Sequence, residues 1–292
     1  MNVTQSVMCR NFLSSVETLN EQLDTVSQQI STGKRMVHLR DSPAAGAESV
    51  LLAGEAAKLD QYKANTDSGN FYLQVADSVL NSVQNLVTSI QTKGSAATSD
   101  TANASDCASL AKEVRSLRDQ VLSLANSEVR GRYIFAGSKI TSAPFVISID
   151  AVTYQGDDEI NKISVDDGLQ VQQNIPGSSV FSPIFDAIQS MLSAMDAGDH
   201  AGIGAAVVQM SSSLGGLNLA RGQVGAELGK LENVSLELDT EAVNLRAQQS
   251  RVEDANAAEA ATQLSQLQTA LKTTLAVGQS ILQQHNLFDF LG

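Results

Sequence analysis

Two apolar stripes with coiled-coil spacing lie at the two ends of this 292-residue chain. In each stripe, apolar residues recur in steps of three or four, which places them on one face of a helix. The first stripe consists of Cys9, Phe12, Val16, Leu19, Leu23, Val26 and Ile30, and the second of Leu264, Leu267, Leu271, Leu275, Gly278, Leu282 and His285. Because the terminal helices are the most regular ones, we predict that the chain runs out and back, with both ends paired at its base.

The paired termini have more apolar surface than two helices can bury against each other. An apolar stripe that stays exposed on a helix pair is typical of a surface that packs against further copies or partners. Two successive four-residue steps, from Leu267 to Leu275, interrupt the heptad spacing and predict a locally straighter bundle. We therefore predict that the terminal stripes form an assembly interface, whereas the stripes of the middle helices form an ordinary bundle core.

The composition favours a helix bundle and excludes several classes of function. Hydrophobic residues make up 42% of the chain but aromatic residues only 4%, so the predicted core is aliphatic. The net charge of −13 opposes binding to nucleic acid. The sequence contains no run of eighteen apolar residues, so we expect no membrane insertion. The N-terminus lacks the features of a cleaved signal peptide, which leaves either a cytoplasmic protein or export by a route that reads an uncleaved N-terminus.

Local patterns divide the chain into elements. Gly33 and Pro43 predict a helix break, with Asp41 or Ser42 as the cap of the next helix. Helical spacing covers about 44–92 and 103–130, with a loop from Lys93 between the two helices. Ser182-Pro183 opens a short helix through Met195. Residues 198–204 form a flexible joint, and a long helix follows it. Between Phe145 and Ile175 the period is two, which predicts a small antiparallel sheet with a hairpin turn at Asp167-Gly168 and another turn at Gly156-Asp157-Asp158.

The predicted fold class is mainly α with a small β insertion. It is an out-and-back helical rod with paired terminal coiled-coil helices and a small antiparallel β domain at the tip. The predicted domains are a terminal assembly domain (1–43 with 256–292), a central helical rod (44–140 with 182–255) and an outward-facing β domain (141–181). Cys9 and Cys107 fall on apolar stripe positions, so we interpret both as small buried hydrophobic residues rather than as a disulfide or metal site.

Several segments resemble a known family. Gly131, Tyr133, Ile134, Phe135 and Gly137 reproduce the Gly-x-Tyr-Ile-Phe-x-Gly pattern of the flagellar hook-associated FlgL family, which belongs to the bacterial flagellins. The segment 30–36, Ile-Ser-Thr-Gly-Lys-Arg-Met, is similar to the end of the first helix in that family. The segment 256–264 is similar to the start of its C-terminal helix, with Asn256 in place of an acid. The chain end, which contains Leu287, Phe290 and Leu291, also resembles the family's C-terminus.

The resemblance implies a structural protein without enzymatic activity or cofactor. It implies export through the flagellar type III apparatus without signal cleavage, helped by an export chaperone, and an extracellular location at the hook–filament junction. The implied partners are copies of the chain itself in a ring, the other junction protein FlgK, and flagellin. The resemblance further implies that the terminal helices, including Leu282, Leu287, Phe290 and Leu291, form the assembling surface.

Other sequence motifs have less specific interpretations. Ser31 and Lys34 match the Ser-x-x-Lys nucleophile motif, but its companion motifs are absent and a helix-end turn is favoured. Asp157, Asp158 and Glu159 lack the ligand spacing of a calcium loop, and a solvated turn is favoured. The three histidines, His38, His200 and His285, are scattered, and the Asn-x-Ser/Thr triplets at Asn2, Asn103 and Asn233 are interpreted as chance matches.

Three alternatives to a junction protein remain. A short flagellin belongs to the same family, and the Tyr-Ile-Phe-Ala-Gly segment at 133–137 favours the junction protein over it. A secreted type III needle-tip-like helical protein would also be acidic and helical, but its coiled coil would more often be central than terminal. A Ser-Lys hydrolase is the enzymatic alternative, and the missing companion motifs argue against it.

Overall fold

The computed structural model describes the backbone of residues 2–36, 42–99, 103–148 and 151–289, and side chains from residue 7 to residue 280 within those ranges. The predicted fold class is confirmed: the described ranges form six helices and three short antiparallel hairpins, which is a mainly α arrangement. The helices are α1 (Asn2–Thr32), α2 (Pro43–Ala97), α3 (Ala104–Ala125), α4 (Gly177–Ala197), α5 (His200–Glu253) and α6 (Ala257–Asp289). The strands are β1 (Glu128–Val129), β2 (Arg132–Tyr133), β3 (Phe145–Ser148), β4 (Ala151–Tyr154), β5 (Lys162–Asp166) and β6 (Leu169–Gln172).

The chain divides into two compact units. The first contains residues 1–58 and 240–292, and the second contains residues 59–239. Helices α2 and α5 pass through both units, so each unit contains part of both helices. The predicted division into three domains, with boundaries at 43, 140, 182 and 256, stays a prediction. Among the described residues, no helix is long and apolar enough to cross a membrane.

The second unit has the predicted aliphatic core. Leu80, Val83, Val87 and Ile90 lie on one face of α2 and are fully buried. Burial of each such side chain contributes about 1.5–3 kcal/mol. Polar contacts fix the antiparallel arrangement of α2 and α5 in this unit: Arg221 Nε lies 2.9 Å from Asp77 Oδ1, Lys63 pairs with Asp239, and Gln91 Nε2 donates to Ser211 Oγ. Asp77 raises the pKa of the Arg221 guanidinium.

Helix α2 continues past the predicted loop at Lys93, and this part of the prediction was wrong. Glycine in a helix interior usually costs about 1 kcal/mol relative to alanine. Here a Cβ at Gly94 would lie 2.6 Å from Met191 Cε and 2.8 Å from Val207 Cγ2. The missing side chain therefore allows two neighbouring side chains to pack directly against the helix backbone, and the helix ends only at Ala97.

Helix α4 begins at Gly177, five residues before Ser182, so the predicted start at Ser182-Pro183 was wrong. Its N-cap is Pro176, and Pro183 lies inside the helix. The preceding segment is drawn into the helix because Val180 and Phe181 are buried, at 3% and 0% exposure. The joint after α4 is also shorter than predicted: Gly198 ends the helix in the left-handed region, with φ 69°, and α5 already starts at His200.

The β region consists of separate hairpins rather than the single small sheet that the period-two pattern suggested. Strands β3–β4 and β5–β6 form two two-stranded antiparallel ladders, and the Asp167-Gly168 turn is confirmed, with Gly168 at φ 78°. The third ladder, β1–β2, was not predicted. Its turn contains Arg130 at φ 52° and Gly131 at φ 77°. The sequence signal was weak because arginine rarely adopts a positive φ.

Helix α3 begins with a capping box and ends earlier than predicted. The Asn103 side chain accepts a hydrogen bond from the Asp106 amide, and the Asp106 side chain accepts one from the Asn103 amide. The apparent glycosylation triplet at Asn103 is therefore explained by helix capping. The helix ends at Ala125 because Asn126 bonds in both directions with the backbone of Phe145, which starts β3.

Candidate assembly interface

Helices α1 and α6 pack against each other in antiparallel orientation within the first unit. The direction follows from two pairs of neighbours: Phe12 contacts Gly278, whereas Lys34 pairs with Asp254. Positions that increase along α1 therefore face positions that decrease along α6. A groove between these two helices is lined by polar and apolar residues of both: Thr18, Glu21, Gln22, Thr25, Val26, Gln29, Gln263, Gln266, Leu267 and Ala270.

The terminal seam, defined here as the facing stripes of α1 and α6, is only partly buried. Val26, at 7% exposure, is the one buried member of the α1 stripe. Seven further members are half-buried: Phe12, Val16, Leu19, Leu23, Leu264, Leu267 and Leu271. Ile30 and Leu275 remain exposed, at 41% and 50%. These residues stay a predicted assembly interface, since the chain alone leaves much of their apolar surface accessible to a neighbour.

Four of the predicted interface residues cannot be placed by their side chains. Leu282 and Leu287 lie on α6, but their side chains fall outside the described residues, and Phe290 and Leu291 lie beyond the described backbone. The prediction of a buried Cys9 was wrong, because its thiol is exposed, whereas Cys107 is buried as expected. A straight helix drifts by about 20° per heptad relative to a 3.5-residue stripe, so the ends of a long stripe turn away from the partner.

Several large apolar residues on the terminal helices were missed as interface candidates. Among them, Met8 is 58% exposed, Leu13 61% and Val277 51%. Leu13 and Val277 each lie next to a stripe member, Phe12 and Gly278, and therefore face away from the seam. Their adjacency to the stripe was visible in the sequence, but a periodicity search that looks for one face ignores them. They extend the accessible apolar surface of the α1–α6 pair.

A second set of contacts joins the segment that follows α1 to the segment that connects α5 and α6. We call residues 33–35 and 252–255, with Ser49, the joint latch. Gly33 ends α1 with φ 70°, and its carbonyl accepts a hydrogen bond of 2.9 Å from the Ala255 amide. The Arg35 amide donates to the Glu253 carbonyl at 2.6 Å. Gln29 Nε2 also donates to the Arg35 carbonyl at 2.7 Å, which ties the latch to the last turn of α1.

Charged side chains reinforce the joint latch. Lys34 Nζ lies 3.0 Å from Asp254 Oδ1 and 3.1 Å from Glu253 Oε2, and Ser49 Oγ donates to Glu253 Oε1 at 2.6 Å. The hydrogen bonds to Asp254 and Glu253 raise the pKa of Lys34 above its usual value. The pKa of Glu253 is lowered by Ser49 and Lys34. Lys34 is therefore a held ammonium rather than a proton acceptor for Ser31, which opposes the hydrolase alternative.

The Gly-x-Tyr-Ile-Phe-x-Gly segment is a packing centre of the second unit. Phe135 is fully buried and packs edge-to-face on Phe181, with ring centroids 4.8 Å apart. Its carbonyl accepts hydrogen bonds from the Gly177 amide and from the Tyr154 hydroxyl. Gly137 has φ 68° and lies directly against Asp157, where a Cβ has no room. Ile134 is buried, Tyr133 is half-buried and Gly131 forms the β1–β2 turn. The segment thus connects β2, β4 and α4.

Tyr154 makes this centre sensitive to alkaline pH. Burial, followed by the charges of Asp158 and Asp157, raises the pKa of Tyr154 above its ordinary value, to about 12. A pKa that is higher in the folded than in the unfolded chain means that folding favours the protonated phenol. The stabilising contribution of Tyr154 is therefore complete below about pH 10 and is lost as the pH rises towards 12. We expect the denaturation midpoint of the wild type to fall over that window by more than that of Tyr154→Phe.

At neutral pH the wild type should be more stable than Tyr154→Phe, because the variant loses the hydrogen bond that the single hydroxyl proton shares between the Asp157 and Phe135 carbonyls, worth about 1 kcal/mol. Urea denaturation at pH 8 and pH 11, followed by circular dichroism, measures both effects. Tyr72→Phe serves as the control and should keep the wild-type alkaline loss. Equal alkaline loss in wild type and Tyr154→Phe would contradict the assignment.

Comparison with known proteins covers both helical parts of the chain. The bacterial flagellin N-terminal helical region matches residues 3–140. The bacterial flagellin C-terminal helical region matches residues 203–291. Together the two matches contain α2, α3 and α6 and nearly all of α1 and α5. The chain belongs to the bacterial flagellin family. The resemblance seen in its sequence motifs is confirmed.

Within the flagellin family, hook-associated proteins are among the similar relatives. Flagellar hook-associated protein 3 of Salmonella typhimurium is 27% identical over 299 residues, covering 99% of this chain and 88% of that protein. The Escherichia coli protein of the same name is 32% identical over 185 residues, covering 63% of this chain and 58% of that protein. A flagellin of Bacillus subtilis is 22% identical over 88% of each chain.

Solved structures of flagellin-family members share the fold. FlgL from Xanthomonas campestris has a TM-score of 0.63 at 17% identity, covering 67% of this chain and 98% of that one. FlgL from Bacillus cereus has a TM-score of 0.60 at 22% identity, covering 68% and 98%. At these identities the likeness concerns the fold alone.

The remaining candidate residues that the structure describes make hydrogen bonds within the fold of this flagellin-family chain. Asp157 accepts hydrogen bonds from the Ser138 hydroxyl and amide, which lower its pKa, and Asp158 accepts one from Ser178. His200 Nδ1 lies 2.9 Å from the Ala97 carbonyl at the end of α2, while His38 and the His285 side chain lie outside the described residues. In the described part of the chain, no group of three or more His, Cys, Asp or Glu residues is arranged to hold a metal ion.

Proposed function

We propose that this chain is a structural protein of the bacterial flagellum that joins the hook to the filament and provides the base on which flagellin polymerises. The observation that carries the proposal is the match to flagellar hook-associated protein 3 of Salmonella typhimurium over 99% of this chain. The solved FlgL structures share the fold of this chain. An enzymatic role is not part of the proposal, since the Ser-x-x-Lys lysine is held as an ion-paired ammonium.

The terminal seam supplies a physical basis for assembly. Leu19, Leu23 and Leu271 are half-buried when only one partner helix is present, so neighbouring helices can still remove apolar area from water. Each square ångström of apolar area that leaves water contributes about 25 cal/mol. Exposed Ile30 and Leu275 add to this surface. Copies of the chain in a ring are the first partners that this surface would bury.

The proposal includes two unlike neighbours and a route to them. The junction protein FlgK lies below the ring and flagellin above it, and shared flagellin-type terminal helices allow the flagellin contact. An export chaperone covers the apolar termini before secretion, and export proceeds without signal cleavage to an extracellular position at the hook–filament junction. These partners follow from the proposed role. A chaperone is included because exposed apolar surfaces on the terminal helices would otherwise associate before export.

A short flagellin is the second candidate function. The relatives include flagellins, and the Bacillus subtilis flagellin aligns over 88% of this chain. Its identity of 22% is below the 27% of the Salmonella hook-associated protein, which aligns over more of the chain. The two functions differ in copy number and position: a junction protein occupies one short zone, whereas a filament subunit extends along the whole filament.

Immunogold electron microscopy of isolated flagella separates these functions. An antibody against the second unit, residues 59–239, should label a single zone where the hook meets the filament. Label along the full filament would establish the short flagellin instead. Label that is confined to the cell body or the medium would exclude both, and a strain that lacks the gene provides the background control.

A further inference from the structure

The α1–α6 pair is held at one end by the joint latch. Two backbone hydrogen bonds, from Ala255 to Gly33 and from Arg35 to Glu253, pair the two segments in the manner of a short antiparallel bridge. Lys34 adds ion pairs to Glu253 and Asp254, and Arg35 Nη2 donates to the Val252 carbonyl. A shift of one residue along either segment would break the backbone pair and move Lys34 away from both carboxylates.

Near the other end of the pair, a steric contact defines the same alignment. Gly278 is buried against the Phe12 ring, and a Cβ there would lie 2.5 Å from Phe12 Cε2 and closer still to Cζ. Gly278 is the only glycine in the sequence of α6. Because glycine costs a helix interior about 1 kcal/mol relative to alanine, its place opposite a bulky ring requires a packing reason. We call this contact the Gly278 notch.

The apolar side chains between these two points do not specify an alignment by themselves. The facing residues of α6 are the leucines 264, 267 and 271, which would pack similarly after a shift of one helical turn. Only Val26 of the α1 stripe is more than nine-tenths buried. Leucine-rich seams of this kind permit several registers unless a polar or steric feature selects one. Phe12, at the Gly278 notch, lies 20 residues before Thr32, the last residue of α1 next to the joint latch, which is about 30 Å along the helix.

We propose that Lys34 and Gly278 are positioning residues that together set the axial register of α1 against α6. The latch selects the register by polar pairing near the helix breaks, and the notch selects it by admitting the Phe12 ring at one position only. The exposed apolar residues of the two helices, among them Ile30 on α1 and Leu275 on α6, then face neighbouring copies at a fixed axial offset from each other. This last consequence rests on the proposed function, whereas the register itself concerns the single chain.

Cysteine cross-linking of the purified full-length chain tests the register directly. In a background with Cys9→Ser and Cys107→Ala, the register places Leu19 level with Leu271 and one turn away from Leu267. We expect the Leu19→Cys/Leu271→Cys pair to close at least about tenfold faster than the Leu19→Cys/Leu267→Cys pair, since a disulfide needs Cα atoms within about 7 Å. Adding Lys34→Met and Gly278→Leu together should bring the two rates within about threefold of each other.

Conservative and compensating variants separate register from general loss of structure. Lys34→Arg should keep the native preference, because arginine retains the charge. Phe12→Ala should restore the preference in the Gly278→Leu chain by opening space for the new side chain. Gly278→Leu raises intrinsic helix propensity, so a lost preference would not reflect melting of α6. Lys112→Met with Gly225→Leu is the matched control, since Lys112 is exposed and a Cβ at Gly225 meets open space.

An unchanged cross-linking ratio in the Lys34→Met/Gly278→Leu chain would overturn the proposal, as would equal rates of the two cysteine pairs in the parent chain. The same variants, expressed in cells that lack the gene, test the consequence for assembly. Loss of register together with normal filaments would confine the proposal to the isolated chain. If the parent chain has the native register but is absent from flagella, that result would instead contradict the proposed function.

Discussion

Cells that lack this protein are expected to build hooks but no filaments, and to release flagellin into the medium as unpolymerised subunits. Polymerisation needs a first layer whose upper surface resembles the end of a growing filament. Terminal helices of the flagellin type, α1 and α6, provide that resemblance in the proposed ring. Without the ring, each arriving flagellin meets a surface with a different arrangement and finds no complementary stripe to bury.

Electron microscopy of the cells and immunoblotting of the culture medium measure the two halves of this expectation. Flagellin in the medium should rise well above the wild-type level, because the subunits that would have formed the filament are released instead. Re-expression of the full chain is the control and should restore filaments. Filaments of normal length in the deletion strain would exclude the junction role, and cells without hooks would move the protein to an earlier step of assembly.

The parts of the fold that were predictable are those in which one local rule dominates. Alternation of apolar and polar residues located β3 to β6, because each strand has one face packed and one face solvated. Asp167-Gly168 identified the β5–β6 turn, since glycine adopts a positive φ without strain. Gly33 and Pro43 identified the helix break correctly for the same kind of local reason, while Asp41, a suggested cap, lies outside the described residues.

The errors arose where tertiary packing overrides local preference. Gly94 and Pro183 usually interrupt helices, yet both lie inside helices here. In the first case Met191 and Val207 fill the space of the missing side chain. In the second, the Ser213 hydroxyl donates to the Pro183 carbonyl from α5, which ties α4 to a neighbouring helix. Neither contact can be read from a window of neighbouring sequence.

Only those features of the candidate site that depend on residue spacing within one helix could be predicted from the sequence. The stripes of α1 and α6 follow from residue spacing, and so does their tendency to pair. The joint latch does not, because Lys34 and Asp254 are separated by 220 positions and each looks like an ordinary surface charge. The pairing of Phe12 with Gly278 was equally hidden, since it depends on the register of two distant helices. The sequence therefore indicates which faces meet but not the alignment in which they meet.

Leu23→Asp is expected to abolish incorporation of the protein into flagella while leaving the thermal unfolding of the second unit nearly unchanged. Leu23 lies in the terminal seam, is half-buried in the single chain and belongs to the first unit. In an assembly, neighbouring helices would bury it further, and a carboxylate without a partner there costs several kcal/mol. That cost is repeated in every copy of a ring, so even partial burial should prevent assembly. Leu271→Asp, on the facing helix, should have the same effect.

A matched control distinguishes the seam from leucine positions in general. Leu219 is 73% exposed on α5 in the second unit, so Leu219→Asp makes the same chemical change without loss of buried area. It should incorporate normally, and Leu23→Met should also be tolerated because it conserves volume. Immunoblotting of purified flagella measures incorporation, and calorimetry of the purified chains measures unfolding. Normal incorporation of Leu23→Asp would show that the terminal seam is not an assembling surface, because a ring cannot hold an unpaired carboxylate in each of its packed contacts.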